Sequence, residues 1–500
     1  MRMTIILAML SGVLLAFSFP GFNLEFLAWF AFVPLFFAVK GKKAAVAFLL
    51  FYLCGIVFWL LIIYWLIHVT FFGLILMVLY LALYFGVFGF LACRFLFLTP
   101  TYYLLTTSAI WVLLEYLRSH LLTGFGWALL GYSQYLTLPA IQIADITGVW
   151  GVSFVVMAIN IAIFTIIDKK KSLFTTYYIL PAIVLLATLG YGYYQLYHVP
   201  RSAHGTPIRI SVIQGNIPQE LKWQPMSHRF ILDSYISLSK EAAKDKPDLI
   251  IWPEASSPGF LGQDNWIFEN IFGAAKYLDI NLLLGTVTFQ DNNYFNSAIL
   301  VDNNGKVVER YDKIHLVPFG EYIPLKKMFV FLETAVPIGD FVAGKEYTLF
   351  SLDSRLEARD PRKFAVLICF EDIFPELSRQ FVKKGADFLV NITNDAWFGK
   401  TSSPYQHLSA SVFRAVENRV FLMRAANTGI SGFINPVGKI ISTVADRKEG
   451  EIFVSGYKSQ EILPQKREGI TFYARYGDIS VLLLCILALY GIMFRKYGQK

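Results

Sequence analysis

The chain has 500 residues, of which 56% are hydrophobic, 16% aromatic and only 16% charged. A soluble globular protein carries about 25% charged residues, so this composition excludes an ordinary soluble domain and points to a membrane protein. The formal charge of +8 does not make a nucleic-acid binder, because much of the basic excess lies in short tufts beside apolar runs: Lys40, Lys42 and Lys43, then Lys169–Lys171, then Arg495 and Lys496.

Residues 1–200 read as successive membrane spans near 4–20, 24–40, 44–68, 71–98, 102–122, 146–167 and 174–196, with one more at 478–494. A bilayer core takes about 20 apolar helical residues, so the first two are short and read as tilted or partly re-entrant. The first run reads as a retained span, since SFPGF (18–22) lacks a small-x-small cleavage site and another span follows. With seven spans and then one, Arg2, the Lys40–Lys43 tuft, Arg94, the Lys169–Lys171 tuft and Arg495–Lys496 fall on one side, while NLEF (23–26) and HVTFFG (68–73) carry almost no basic residues. That pattern predicts both termini in the cytoplasm and residues 197–477 outside. The Gly- and aromatic-rich connection at 123–145 is then external and expected along the interface. Glu115 and Arg118 end a span on that side, as partners of each other, headgroup contacts or snorkelling charges.

Residues 206–465 change texture. Apolar runs of strand length recur at 208–214, 248–254, 280–287, 296–301, 364–370, 388–393 and 421–427, with helical patterns at 228–245 and 404–419. Short buried strands alternating with helices predict an α/β domain. The expected organisation is a seven-helix membrane domain at 1–200, an external domain at 201–470 and a final helix within 471–500. Cys54, Cys93 and Cys485 lie in apolar runs and Cys369 alone in the polar part, which leaves no disulfide there. The seven histidines are scattered without ligand spacing, so no zinc or other metal site is expected.

Three strand ends carry chemistry. DLIIWPE puts Glu254 past an apolar run where Pro253 turns the chain, either as a solvated acid or as a base at a strand end. VVERYDKIHLVPFGEYIP holds Lys313 and Glu321 eight residues apart, with His315 as a half-buried bystander. FAVLICFEDIFPE (364–376) ends a run on Cys369, either a small core hydrophobe or a thiol at an elbow where helix-end N–H groups would lower its pKa. A base, a cation and a thiol together suit acyl transfer: glutamate takes the thiol proton, the thiolate attacks a carbonyl, and lysine with a backbone N–H near residue 370 steadies the oxyanion. NIT (391–393) matches a glycosylation acceptor but sits at a strand end, and Asp395, Trp397 and Phe398 are expected to shape the loop around the pocket.

The segments WPE, YDKIHLVPFGEYIP, CFED, NITNDAWFG and RAANTGIS are similar to those of the carbon–nitrogen hydrolase, or nitrilase, superfamily. Coupled to seven preceding spans and one following, the whole chain resembles the membrane-embedded apolipoprotein N-acyltransferase family. The resemblance implies an external αββα sandwich and a Glu–Lys–Cys triad on Glu254, Lys313 and Cys369, with further functional positions at Trp223, Glu321 and Glu371. The family often has tyrosine after the nucleophile, where this chain has Phe370. It also implies a cofactor-free monomer of the bacterial inner membrane with a periplasmic catalytic domain. A phospholipid, typically phosphatidylethanolamine, would donate its sn-1 acyl chain to Cys369. The α-amino group of a diacylated apolipoprotein would then accept it in a ping-pong scheme. Two lipid substrates would place the site at the membrane interface, and the apolar segments 255–268 and 324–341 read equally as lids or as core. A tethered amidase and a transporter with a binding domain are the rival readings; eight spans are excessive for an anchor, and no matched pair of Gly/Pro-interrupted spans supports a transporter.

Overall fold

The computed structural model describes residues 2–95, 100–169, 176–199, 207–322, 341–354, 357–464 and 469–497. The chain forms two compact units, one of Met1–His198 with Thr401–Glu417 and Thr471–Lys500, the other of Val199–Lys400 with Asn418–Ile470.

The first unit is helical: Arg2–Phe17, Val33–Val39, Ala44–Ile62, Phe71–Phe95, Pro100–His120, Val149–Lys169, Thr176–His198 and Ile479–Tyr497. Several are apolar on every side, as expected of helices with no water on either flank. Among the described residues, four are long and apolar enough to cross a membrane: Ala44–Ile62, Phe71–Arg94, Val149–Asp168 and Ile179–His198. Arg2–Phe17, Glu25–Val39 and Ile479–Tyr490 are apolar but shorter.

The expected span at 24–40 is broken, with a 3-10 turn at Glu25–Trp29 and then a seven-residue helix. Seven residues rise only about 10 Å, and Pro34 in the first turn of that helix cannot supply an N–H to continue it backward. The interrupted backbone is satisfied from within, because Asn160 Nδ2 donates to Ala28 O (2.7 Å) and Asn160 Oδ1 accepts from Phe32 N (2.9 Å). Irregular backbone at membrane depth is tolerated where protein supplies such partners.

The connection at 123–145, expected along an interface, instead packs inside this unit, with Leu129, Leu130, Tyr132 and Gln134 buried. Glu115 and Arg118 turn inward to hold it. Arg118 donates to Phe125 O (2.7 Å) and Trp127 O (2.8 Å), and Glu115 accepts from Leu130 N (2.6 Å). Gln406 anchors the 401–417 segment here, accepting from the indoles of Trp65 (3.1 Å) and Trp127 (2.8 Å) and donating to Ile62 O.

The second unit carries thirteen described strands: β1 (Ile208–Gln214), β2 (Leu249–Ile251), β3 (Phe260–Leu261), β4 (Asn281–Gln290), β5 (Asn293–Val301), β6 (Val307–Asp312), β7 (Phe350–Ser354), β8 (Glu357–Ile368), β9 (Phe388–Thr393), β10 (Phe421–Ala426), β11 (Gly432–Ile434), β12 (Ile440–Thr443) and β13 (Gly456–Ile462). One sheet runs β13-β1-β2-β4-β5-β6 with β3 against β4, the other β12-β11-β10-β9-β8-β7. The central strands β1, β2 and β4 are parallel, as are β8, β9 and β10. Strands buried on both faces read as continuous apolar runs, which is why these were the legible ones. Helices His228–Ala243 and Asn265–Leu278 cover the first sheet, burying Ile231, Tyr235, Ile267 and Ile271 against Ile250, Leu282 and Ile299. Each such side chain contributes about 1.5–3 kcal/mol. Asn216 N donates to Asn427 O (2.8 Å) and Ile217 N to Asn427 Oδ1 (2.9 Å), tying the ends of β1 and β10 together. This two-sheet layout is the nitrilase-like fold that the resemblance implies, and it gathers the carboxyl ends of parallel strands.

Candidate active site

Glu254 follows β2 on a turn pressed against β4. Trp252 N donates to Leu283 O (2.8 Å), and Gly285 N and O bond Pro253 O (3.2 Å) and Ser256 N (2.9 Å). A Cβ at position 285 would lie 2.6 Å from Glu254 Cα, so only glycine lets the turn pass. Lys313 follows β6, and its N–H donates to Asn296 O (2.8 Å). Cys369 ends β8 with φ +53° and opens the 3-10 turn Cys369–Ile373. Ala255 (φ +45°) and Phe319 (φ +62°), beside Glu254 and Glu321, share that left-handed conformation. Strained non-glycine backbone persists only where the surroundings over-determine it, and it clusters at functional sites.

The side chains close into one buried polar cluster. Lys313 Nζ lies 2.9 and 3.0 Å from the two Glu321 oxygens and 3.6 Å from Glu254 Oε1. Asn296 Nδ2 bridges the two acids, donating to Glu254 Oε1 (2.8 Å) and Glu321 Oε1 (2.6 Å). Val317 N gives Glu321 Oε2 a further bond (2.7 Å). Lys222 Nζ approaches from the loop after β1 and donates to Glu254 O (3.1 Å). Glu371 joins the two sheets at this point, accepting on Oε1 from Tyr311 Oη (2.8 Å), Ile314 N (2.7 Å) and His315 N (3.1 Å), and on Oε2 from Ile368 N (2.8 Å).

Burial alone would push the Lys313 ammonium down. The carboxylates of Glu321 and Glu254 outweigh that cost and hold it well above the usual lysine range, so it stays a cation. The Cys369 thiol moves opposite to the sequence expectation. Burial pushes it up and the Glu254 charge adds to this, against Lys313. A single 3-10 turn does not offset that desolvation, so the resting group is a thiol that needs a base. Burial also raises Glu371, to about 7, against the pull of its backbone donors and Lys313.

Of the other residues singled out in the sequence, Trp223 stacks on Phe260 (5.9 Å between centroids), and Phe370 packs edge-on against Phe374 (5.5 Å). His315 also lies on Phe374 (3.7 Å). Asn391 is fully buried and donates to Cys369 O (3.1 Å), so NIT is a chance match to the glycosylation pattern. Asp395 is held by Arg424 (3.2 Å), whose guanidinium also reaches Asp372 (3.2 Å) and Asn391 (2.7 Å) beneath the elbow. Trp397 is 45% exposed. Segment 255–268 mixes both readings, with Ile267 and Phe268 in the core and Trp266 exposed. Segment 324–341 lies, apart from Phe341, outside the described residues. Asn296, Lys222 and Arg424 were not singled out as site residues, since no local pattern separates a buried amide or cation from an exposed one. Among the described residues, no group of three or more His, Cys, Asp or Glu side chains is placed to hold a metal ion.

Residues 11–162 match the family model described as apolipoprotein N-acyltransferase N-terminal domain, and residues 209–460 match carbon-nitrogen hydrolase. An apolipoprotein N-acyltransferase of Geobacter metallireducens is 42% identical over 96% of this chain and 92% of its own. One from Haemophilus influenzae is 33% identical over 97% and 94%. Among solved structures, an amidase from Nesterenkonia sp. aligns at 20% identity with TM-score 0.41, covering 56% of this chain and 97% of that one.

Proposed function

The chain belongs to the apolipoprotein N-acyltransferase family, and from that premise we propose that it moves an acyl chain from a phospholipid onto the N-terminal amine of a diacylated apolipoprotein through a Cys369 thioester. Glu254 takes the Sγ–H proton as sulfur bonds the ester carbonyl carbon, and Lys313 with a backbone N–H near residue 370 steadies the oxyanion. The ester C–O bond then breaks, and Glu254 returns the proton to the departing glycerol oxygen, releasing a lysophospholipid. In the second half, the neutral α-amine attacks the thioester, Glu254 takes its proton, the C–S bond breaks and the thiolate is reprotonated.

Glu321 holds Lys313 in this scheme, Glu371 the elbow, and Trp223 lines the loop beside the turn that carries Glu254. Phe370 brings no hydroxyl, so the ring serves by packing. The same reading makes Pro100–His120 and the three shorter apolar helices complete eight spans, with both termini cytoplasmic, the α/β unit periplasmic in a bacterial inner membrane, and one copy sufficient.

The observation that carries the proposal is a buried ammonium between two carboxylates, coupled to a thiol on a left-handed strand end. The test is intact mass spectrometry of the full chain in detergent after incubation with phosphatidylethanolamine. Wild type should gain one acyl mass on the peptide around Cys369, discharged by a lipopeptide with a free diacylglyceryl-cysteine amine. Cys369→Ser should form no thioester, and Glu254→Gln should slow adduct formation by about 100-fold or more. Free fatty acid as the main product in the presence of the lipopeptide would instead make the protein a hydrolase.

A further inference from the structure

We propose that Lys222 is a positioning residue of the acylation half-reaction, its buried ammonium holding the turn that carries Glu254 and supplying the second positive charge against the two site carboxylates. The inference rests on the acyltransferase reading above. Lys222 is 3% exposed, and lysine is almost never that buried without a partner. Its side-chain hydrogen bond goes to the Glu254 carbonyl (3.1 Å), at the turn where Ala255 takes φ +45° and Gly285 leaves no room for a side chain.

The loop presenting it is fastened on three sides. Asn394 Nδ2 donates to Gln219 Oε1 (2.8 Å), Ile217 N to Asn427 Oδ1 (2.9 Å), and Trp223 stacks on Phe260. A methionine would fill the same volume without the cost of desolvating a charge, so packing alone does not account for an ammonium here.

Charge balance does. Among the described residues, Glu254 and Glu321 face Lys313 alone in the direct ion pairs, which leaves that group one negative charge in excess. A negative site disfavours both thiol ionisation and an oxyanion, and Lys222 removes the excess. Glu254 from the end of β2 and Cys369 from the end of β8 are the titratable groups acting on it. Burial brings Lys222 down to about 8 against both of them, whereas Lys313 is held as a cation. Loss of the Lys222 proton therefore gives the acylation rate an alkaline fall near pH 8.

The test compares wild type, Lys222→Met and Lys222→Arg as full chains in detergent. Acyl mass on Cys369 is followed from phosphatidylethanolamine without acceptor, between about pH 6 and 10. Lys222→Met should acylate about 100-fold more slowly at neutral pH and show no break near pH 8. Lys222→Arg should recover to within about tenfold of wild type, with the break moved upward, because arginine keeps its charge.

A methionine variant within about threefold of wild type, or an arginine variant that keeps the wild-type break, overturns the proposal. If the methionine variant does not fold, the position of the arginine break decides alone. Iodoacetamide alkylation of Cys369 over the same range reads the coupling without lipid. A wild type whose alkylation breaks near pH 8 in a Lys222-dependent way, yet never accepts an acyl chain, rejects the acyltransferase reading and upholds the coupling. Alkylation profiles that coincide in all three proteins reject the coupling itself.

Discussion

Four donors converge on the Glu371 carboxylate, from Tyr311, Ile314, His315 and Ile368. The first three flank Lys313 and the last precedes Cys369, so one side chain sets the spacing between cation and thiol. Its folded pKa of about 7 lies above the ordinary glutamate range near 4.5. The folded state therefore binds this proton more tightly than the unfolded chain, and the stabilisation is present below pH 4.5 and lost as pH rises toward 7, by at most about 3 kcal/mol. Glu371→Gln removes the titration. The melting temperature of wild type minus that of the variant should fall by several degrees between pH 4.5 and pH 8, and an equal difference at both values would refute this account. At this scale the sequence was legible where a charge or thiol interrupts an apolar run, as at Glu254, Lys313 and Cys369. It was opaque at Asn296, a lone amide opening an apolar run, and at Lys222, whose segment QELKWQP has no local mark of burial. The sign of the Cys369 shift was misread because desolvation depends on everything packed around the elbow.

At the scale of elements, the site depends on how closely β4 lies against the turn after β2. Gly285→Ala would place its Cβ within 2.7 Å of Glu254 Cα, Pro253 O and Ala255 N, all backbone atoms that cannot rotate away. Such overpacking costs about 1–3 kcal/mol. The same shift displaces Glu254, and a misplacement of about 1 Å is enough to cost about 100-fold in rate. The variant should therefore stay folded while thioester formation falls at least about tenfold; an unchanged acylation rate would show that the turn relaxes without moving the base. The parallel strands that frame this turn were legible because their runs are apolar throughout. The antiparallel strands β6, β12 and β13 were not, since their residues are mostly exposed or half-buried and carry no clear alternation. The segment at 24–40 reads as tilted or partly re-entrant because its hydropathy suits either path, and the partner that holds its break, Asn160, lies more than a hundred residues away.

For the whole molecule the question is which end of the helical unit faces the cytoplasm. Contacts within that unit bring the basic tufts to one level independently of any span count. Lys40 pairs with Asp168, and Cys93 Sγ donates to Lys42 O (3.3 Å), so the ends of Val33–Val39, Phe71–Phe95 and Val149–Lys169 meet. Helices Val149–Lys169 and Ile479–Tyr497 start side by side, where Trp150 Nε1 donates to Asp478 (2.9 Å) and Ser480 Oγ to Thr147 O (2.9 Å), and each carries its basic residues at the far end. Under the proposed topology that shared basic end is the cytoplasmic one, by the positive-inside rule, and the chain between the seventh helix and the last lies on the other side. Single cysteines test this directly. Lys42, in the connection before Ala44–Ile62, and Lys448, on a turn, are both exposed, and Lys42→Cys and Lys448→Cys serve as the probes. In spheroplasts, a bulky impermeant maleimide should label the 448 variant at once and the 42 variant only after detergent, each measured against the labelling of the four native cysteines. The opposite order would place the α/β unit in the cytoplasm, away from any acceptor on the outer leaflet, and the proposed reaction with it.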